Sequence, residues 1–403
     1  MSRSRALVWD GVFVACGMAA GALSVGAIAA LSDPGRSSPE PRHKPPVAVN
    51  VMPKRTAPAS AGTVILAWSP QGLPHRLEEK LQKVNGVRRA TTVRAGTDWL
   101  RRSRTSDGTV LDQPPGSYAI PLEVAAIKPR DYAPFVSPTE RNAVLGLGPG
   151  EALIARTEAK LRGTSQGLTL SLSGRRLRIV GVIGDEATNG YEVLVSQRSG
   201  SPTNRESFLL IQMTSPGKRQ EVERAVRRHF EPDRLVRVRS YGETPYLRYG
   251  DAVLPQLTIK EAFGEFAGRP DADGSITLEP GWAKKNIRTA SVPLLGSVTC
   301  HRALFPQLRA AMTTLIREGL QHSIDRSQYA GCFNPRFINR NTAGRLSHHA
   351  WGVALDLNSR DNAFGIRPRQ DRRLVRVMED HGFTWGGRWL IPDGMHFEWA
   401  RFP

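Results

Sequence analysis

Between Gly11 and Leu31 the chain reads "GVFVACGMAAGALSVGAIAAL", uncharged throughout and about as long as a helix needs to cross a bilayer. No other stretch constrains folding as much, because a globular domain can form only outside it. Arg3 and Arg5 lie before the run, which places residues 1–10 in the cytoplasm, 11–31 in the membrane and the rest beyond it. Arg36, Arg42 and Lys44 follow the run and weaken that asymmetry. A signal peptide cleaved after Ala27-Ile28-Ala29 is the other reading; the run exceeds the usual apolar core of one, which favours an uncleaved anchor. Either way the bulk of the chain is expected outside the cytoplasm, on the anchor reading as a single-pass protein of the cell membrane.

Residues 32–61 are rich in Pro, Ser and charge without periodicity, as in an extended linker. The remainder of the 403 residues leaves room for two ordinary domains. With 56 Lys and Arg against 37 Asp and Glu, the formal charge is +19, which suits a polyanionic neighbour unless arginine is simply abundant. No nucleic-acid-binding module organises these charges, and export removes that partner, so none is expected. Anionic membrane or cell-wall polymer remains.

A first unit is expected over 62–241. "TVILAW" reads as a strand, and Leu73, Leu77, Leu81 and Val84 recur at helical spacing before Asn85-Gly86 stops the helix. "VRRATTV" follows as a strand. The order returns with "FLLIQM", a helix carrying Val222, Ala225, Val226 and Phe230, and "LVRVR". Between them, "LTLSLSGRRLRIVGVIGD" reads as a hairpin turning near Gly174, and "YEVLVS" adds a strand. Two β-α-β halves around a hairpin predict an α+β, ferredoxin-like domain. It shows no polar constellation, which suggests a spacer or a docking unit for an unidentified protein partner.

The second unit, 258–403, carries the chemistry. In "LSHHAWGVALDLN", Val353, Leu355 and Leu357 share one face of a strand and Ala354, Asp356 and Asn358 the other. Gly352 can turn the chain before it, so that His349 swings over Asp356. In "DGMHFEW", His396 and Glu398 share a face, with Asp393 on the preceding turn. Two histidines and a carboxylate suit a hydrolytic zinc site with a position left for water, and Asp393 is placed as general base. A Ser347–His348–Asp356 triad is disfavoured, because adjacent side chains rarely face each other and the second motif would go unused.

Ser347-x-His349-x-x-Gly352-x-Ala354-x-Asp356 followed by Asp393-x-x-His396 resembles the D-alanyl-D-alanine carboxypeptidase family of zinc peptidases over about 258–403. That family includes VanY-like carboxypeptidases and L-alanyl-D-glutamate endopeptidases. The resemblance implies a small antiparallel sheet with flanking helices, Zn2+ on His349, Asp356 and His396, Asp393 as base, and peptidoglycan stem peptides as substrate. Asp at 393, where many carboxypeptidases have Glu, is similar to the endopeptidase branch and leaves the bond cut open. The family's upstream arginine matches Arg302 by position, with Arg336 as rival; Ser347 and Trp385, with Trp389, are candidates for substrate contact. His348, His301 and His381 are read as structural. Of three cysteines, Cys16 lies in the membrane run, so Cys300 and Cys332 remain to form a disulfide outside the cell, stabilising by ~3–4 kcal/mol, or stay as buried thiols. A zinc site on Cys300, His301 and Cys332 lacks a fourth ligand. The competing class is a non-catalytic wall-binding or sensor protein that keeps a structural metal.

Overall fold

Eleven strands form one mixed sheet among the described residues: β1 (Val64–Trp68), β2 (Val87–Leu100), β3 (Arg102–Arg104), β4 (Val110–Asp112), β5 (Ile120–Ile127), β6 (Glu151–Ala155), β7 (Thr169–Leu172), β8 (Arg175–Ile183), β9 (Val193–Ser196), β10 (Glu206–Met213) and β11 (Arg237–Ser240). The computed structural model describes residues 61–163, 167–200, 206–244, 246–252 and 254–402. The expected membrane run at 11–31 and nearly all of the linker lie outside them. Among the described residues no helix is long and apolar enough to cross a membrane.

Strand order is β11-β1-β10-β2-β5-β9-β6-β8-β7-β3-β4. The two β-α-β halves therefore meet at one end, as β11-β1-β10-β2, all antiparallel. Helices Leu77–Leu81 and Arg219–Arg227 cover one face of these strands through Leu77, Leu81, Val222 and Val226, packed on Ile65, Ala67, Leu209 and Ile211. The alternate residues Val64, Leu66, Trp68, Phe208 and Leu210 enter a second cluster on the opposite face. This period of two buries both faces, and so β1 and the middle of β10 read as continuously apolar. Residues between β2 and β10 extend the sheet from the β2 edge, with parallel pairs β5–β9 and β6–β8.

Residues 254–402 build their own core around helix Phe305–Arg317. Two hairpins, β12 (Gly268–Pro270) with β13 (Ile276–Leu278) and β14 (Ile287–Val292) with β15 (Gly296–His301), lead to a three-stranded antiparallel sheet. In it β18 (His396–Trp399) lies between β16 (Ala354–Asp356) and β17 (Phe383–Trp385), and helix Arg372–Asp380 packs beside β17. Val353, Leu355, Leu357 and Phe397 point this sheet into the core. The described residues form one compact unit.

Candidate active site

Asp356 stands directly opposite His396 in the β16–β18 register. Directly paired residues on neighbouring antiparallel strands share a face, so the strand pairing alone brings the carboxylate to the imidazole. His349 arrives from a single 3-10 turn, His348–Trp351, which Ser347 caps by accepting the His349 N–H at 3.4 Å. Gly352 ends that turn at φ 66°. A Cβ there would stand 2.6 Å from the His301 nitrogen, so only glycine lets the chain bend this close to β15.

The three side chains meet. His349 Nε2 lies 3.2 Å from His396 Nδ1 and 3.3 Å from Asp356 Oδ2, and His396 Nδ1 lies 3.2 Å from Asp356 Oδ1. Zinc–ligand bonds of about 2.0–2.1 Å arranged tetrahedrally put neighbouring ligand atoms roughly 3.3–3.4 Å apart. The spacing therefore fits a zinc-sized ion, and this is the one His/Asp group of ligand geometry among the described residues. Each imidazole is also held from behind. His349 Nδ1 donates to the Cys332 carbonyl at 2.8 Å, and His396 Nε2 lies 3.5 Å from Glu398 Oε2. Glu398 in turn meets His348 Nδ1 at 2.8 Å. Such partners fix ring orientation and strengthen the ligand.

Charge balance points the same way. Burial works against ionisation of Asp356, but His349 and His396 outweigh it and hold its carboxyl well below the usual range. Burial likewise disfavours charge on His396, yet Asp356 and Glu398 push its pKa up to about 10. The cluster thus demands positive charge at its centre, which a proton or a divalent cation can supply. Glu398 too is held well below the carboxylate range despite burial, by His348 and His396.

Asp393 lines the cleft beside the cluster, and its Oδ1 is buried without a hydrogen-bond partner among the described residues. Burial first, then the Asp356 charge, raises its pKa above the ordinary value, while His396, His349 and Arg336 pull the other way. Gly386 permits the fold here: a Cβ on it would lie 2.8 Å from the Asp393 carbonyl.

The remaining candidates divide. Ser347 and Arg336 line the same cleft. Arg336 feels Asp356 and Asp393 electrostatically and has no carboxylate at ion-pair distance among the described residues. Arg302 is exposed on a different 3-10 turn and lines a separate cavity with Phe263, Trp282 and His301. The structure does not bring it to the cluster. Trp385 donates its indole N–H to the Gly394 carbonyl at 2.8 Å and braces the turn, whereas Trp389 faces the cleft with its ring 5.0 Å from that of His396. Cys300 and Cys332 are joined, with Cα atoms 5.4 Å apart, so neither offers a thiolate to a metal. His301 sits among Phe263 and Trp282, and burial lowers its pKa to about 4. His381 bonds to Val377 and Thr314.

Sequence reasoning missed Glu398, His348 and the Cys332 carbonyl. The His396-x-Glu398 alternation carried the signal for Glu398; a backbone carbonyl leaves none.

No curated protein matches the chain. Among solved structures it is similar to the periplasmic region of MacB from Actinobacillus actinomycetemcomitans, at 11% identity and TM-score 0.30 over 45% of this chain and 90% of that one. It is similar also to the extracellular domain of the noncanonic ABC-type transporter YknZ from Gram-positive bacteria, at 13% identity and TM-score 0.30 over 44% and 100%. A permease-protein domain from Porphyromonas gingivalis matches at 14% identity and TM-score 0.31 over 50% and 97%. The family match lies elsewhere: residues 340–399, which hold His349, Asp356, Asp393 and His396, match the D-alanyl-D-alanine carboxypeptidase family.

Proposed function

We propose that the chain is a zinc peptidase that hydrolyses peptidoglycan stem peptides outside the cytoplasm, tethered through residues 11–31. The observation that carries this reading is a triangle of ligand atoms with tetrahedral edges, in one cleft with a half-buried carboxylate whose Oδ1 has no partner among the described residues. The family match over the same residues and the Cys300–Cys332 disulfide, which suits an oxidising compartment, support it. A purely structural metal site has no use for Asp393.

His349, Asp356 and His396 would hold the ion, which supplies Lewis acidity toward the scissile carbonyl and an attacking water. Asp393 takes the proton of that water as its oxygen bonds to the carbonyl carbon. It then hands the proton to the amine nitrogen as the C–N bond breaks. Its raised pKa suits both halves of that transfer. Arg336 meets the negative charge that develops on the carbonyl oxygen or sits on a substrate carboxylate; its place in the cleft favours it over Arg302.

The test is to incubate the full chain with zinc and muropeptides and identify products by mass spectrometry. Released D-Ala marks a carboxypeptidase, and a cut between L-Ala and D-Glu an endopeptidase. Asp393→Ala should lower turnover by about 10²–10⁴-fold with zinc still bound, and chelation should abolish it. Undiminished turnover in either case would sink the reading.

A further inference from the structure

The cleft at the metal cluster, about 320 Å³ in volume, has walls from two parts of the chain. Residues 336–398 supply one side, with Arg336, Ser347, Trp389, Asp393 and His396. The other side comes from the unit that carries the large sheet: Trp68 at the end of β1, Pro70, Glu206 at the start of β10, and Tyr249 to Ala252. Trp68 and Tyr249 pack with ring centroids 4.6 Å apart at 51°. Trp68 is only 5% exposed, and its buried indole N–H has no hydrogen-bond acceptor among the described residues.

The wall is fixed to the metal loop. Glu206 pairs with Arg345 at 2.9 Å, and the Arg345 guanidinium lies 5.6 Å over the Tyr249 ring. Arg345 is two residues before Ser347 and four before His349. Leu390, next to Trp389, donates its N–H to Asp251 at 2.7 Å. The charges on this side are therefore already answered: Glu206 by Arg345, and Asp251 by Arg237 at 3.3 Å. What the wall offers a ligand is aromatic surface. That suits small uncharged side chains; on this side of the cleft an ionised one would lose its hydration without a partner. A volume near the lower end for ligand pockets admits a short peptide segment.

Resting on the peptidase reading of the cluster, we infer that Trp68 and Tyr249 are substrate-binding residues, which hold the uncut part of a short, uncharged peptide segment against Trp389. The large-sheet unit is then a specificity-determining half of the cleft rather than a spacer.

The experiment uses the zinc-loaded full chain, a stem pentapeptide, and analogues with each residue flanking the cut bond changed in turn to Ala or Glu. Tyr249→Ala is expected to raise KM by roughly tenfold with a smaller effect on kcat, and to narrow the preference for Ala over Glu. Trp68→Phe, which keeps an aromatic ring beside Tyr249, should raise KM less. Zinc content should stay at the wild-type value, and thermal unfolding should show each variant cooperatively folded at the assay temperature. A folded, zinc-loaded Tyr249→Ala with wild-type KM and preference would overturn the inference. Calorimetric binding of the same peptides separates the two claims. Peptide bound but never cut removes the peptidase reading and leaves the wall to be judged by whether Tyr249→Ala weakens binding. Neither binding nor cleavage by the wild type overturns both.

Discussion

Glu398 stands two residues beyond His396 on β18 and reaches both His396 and His348. Its carboxylate keeps the His396 ring turned so that Nδ1 faces Asp356. Glu398→Gln keeps the shape and removes the charge, and it should weaken zinc binding by about 10–100-fold. Competition against a chromophoric chelator measures this; an unchanged affinity would leave Glu398 a mere packing residue. The residues of the cluster were legible because strand alternation and a glycine bend are local rules. Arg302 and Arg336 were harder to separate, since a lone arginine carries no periodicity, and only tertiary packing decides which reaches the cleft. Trp385 and Trp389 differ for the same reason: both flank Gly386-Gly387 in the sequence, and the turn alone determines which ring faces the site.

At the scale of elements, the disulfide has two roles. It ties the end of β15 to Cys332, thirty-two residues on, and Cys332 also lends its carbonyl to His349. Cys300→Ser should cost about 3–4 kcal/mol of stability by the loop-entropy argument and weaken zinc binding, because the His349 ring loses a fixed acceptor. Urea midpoints and the same metal competition would show both; a loss of stability with full zinc affinity would confine the bridge to folding. The strands themselves were mostly readable from apolar runs. "VRRATTV" marks only the first half of β2, which continues through Gly96 and Asp98 to Leu100. Its two halves have different partners, residues 87–95 with β10 and 94–100 with β5, and such pairing overrides weak local propensity. The helix expected from Leu73 begins only at Leu77, because Arg76 adopts φ 56° just before it.

The whole molecule is held by buried charge that no sequence pattern announces. Lys260, on helix Gln256–Phe263, is fully buried and pairs with Glu192 at 2.6 Å and Glu265 at 2.9 Å. Arg162 adds Asp112, Glu158 and Glu265, and Arg248 meets Glu123 at 2.6 Å. These pairs link the large sheet to the segment that opens the second unit. Removing one partner strands the others in a low-dielectric interior. Lys260→Met should therefore lower unfolding free energy by about 3–5 kcal/mol, read from urea denaturation; an unchanged midpoint would mean that the network contributes little. Single-residue patterns could not foretell pairs such as Lys260–Glu192 and Arg248–Glu123, whose members stand scores of positions apart.

The place of β18 bears on timing. It is the central strand of its sheet, yet it comes after both of its neighbours in the chain. It brings His396, and the turn just before it brings Asp393. A chain still being synthesised can have the wall of Trp68 and Tyr249, the disulfide, His349 and Asp356 in place, but neither His396 nor Asp393. Two strands wait unpaired until the third slides between them. On the peptidase reading, hydrolysis then waits for the last act of folding, and an unfinished chain is a harmless one.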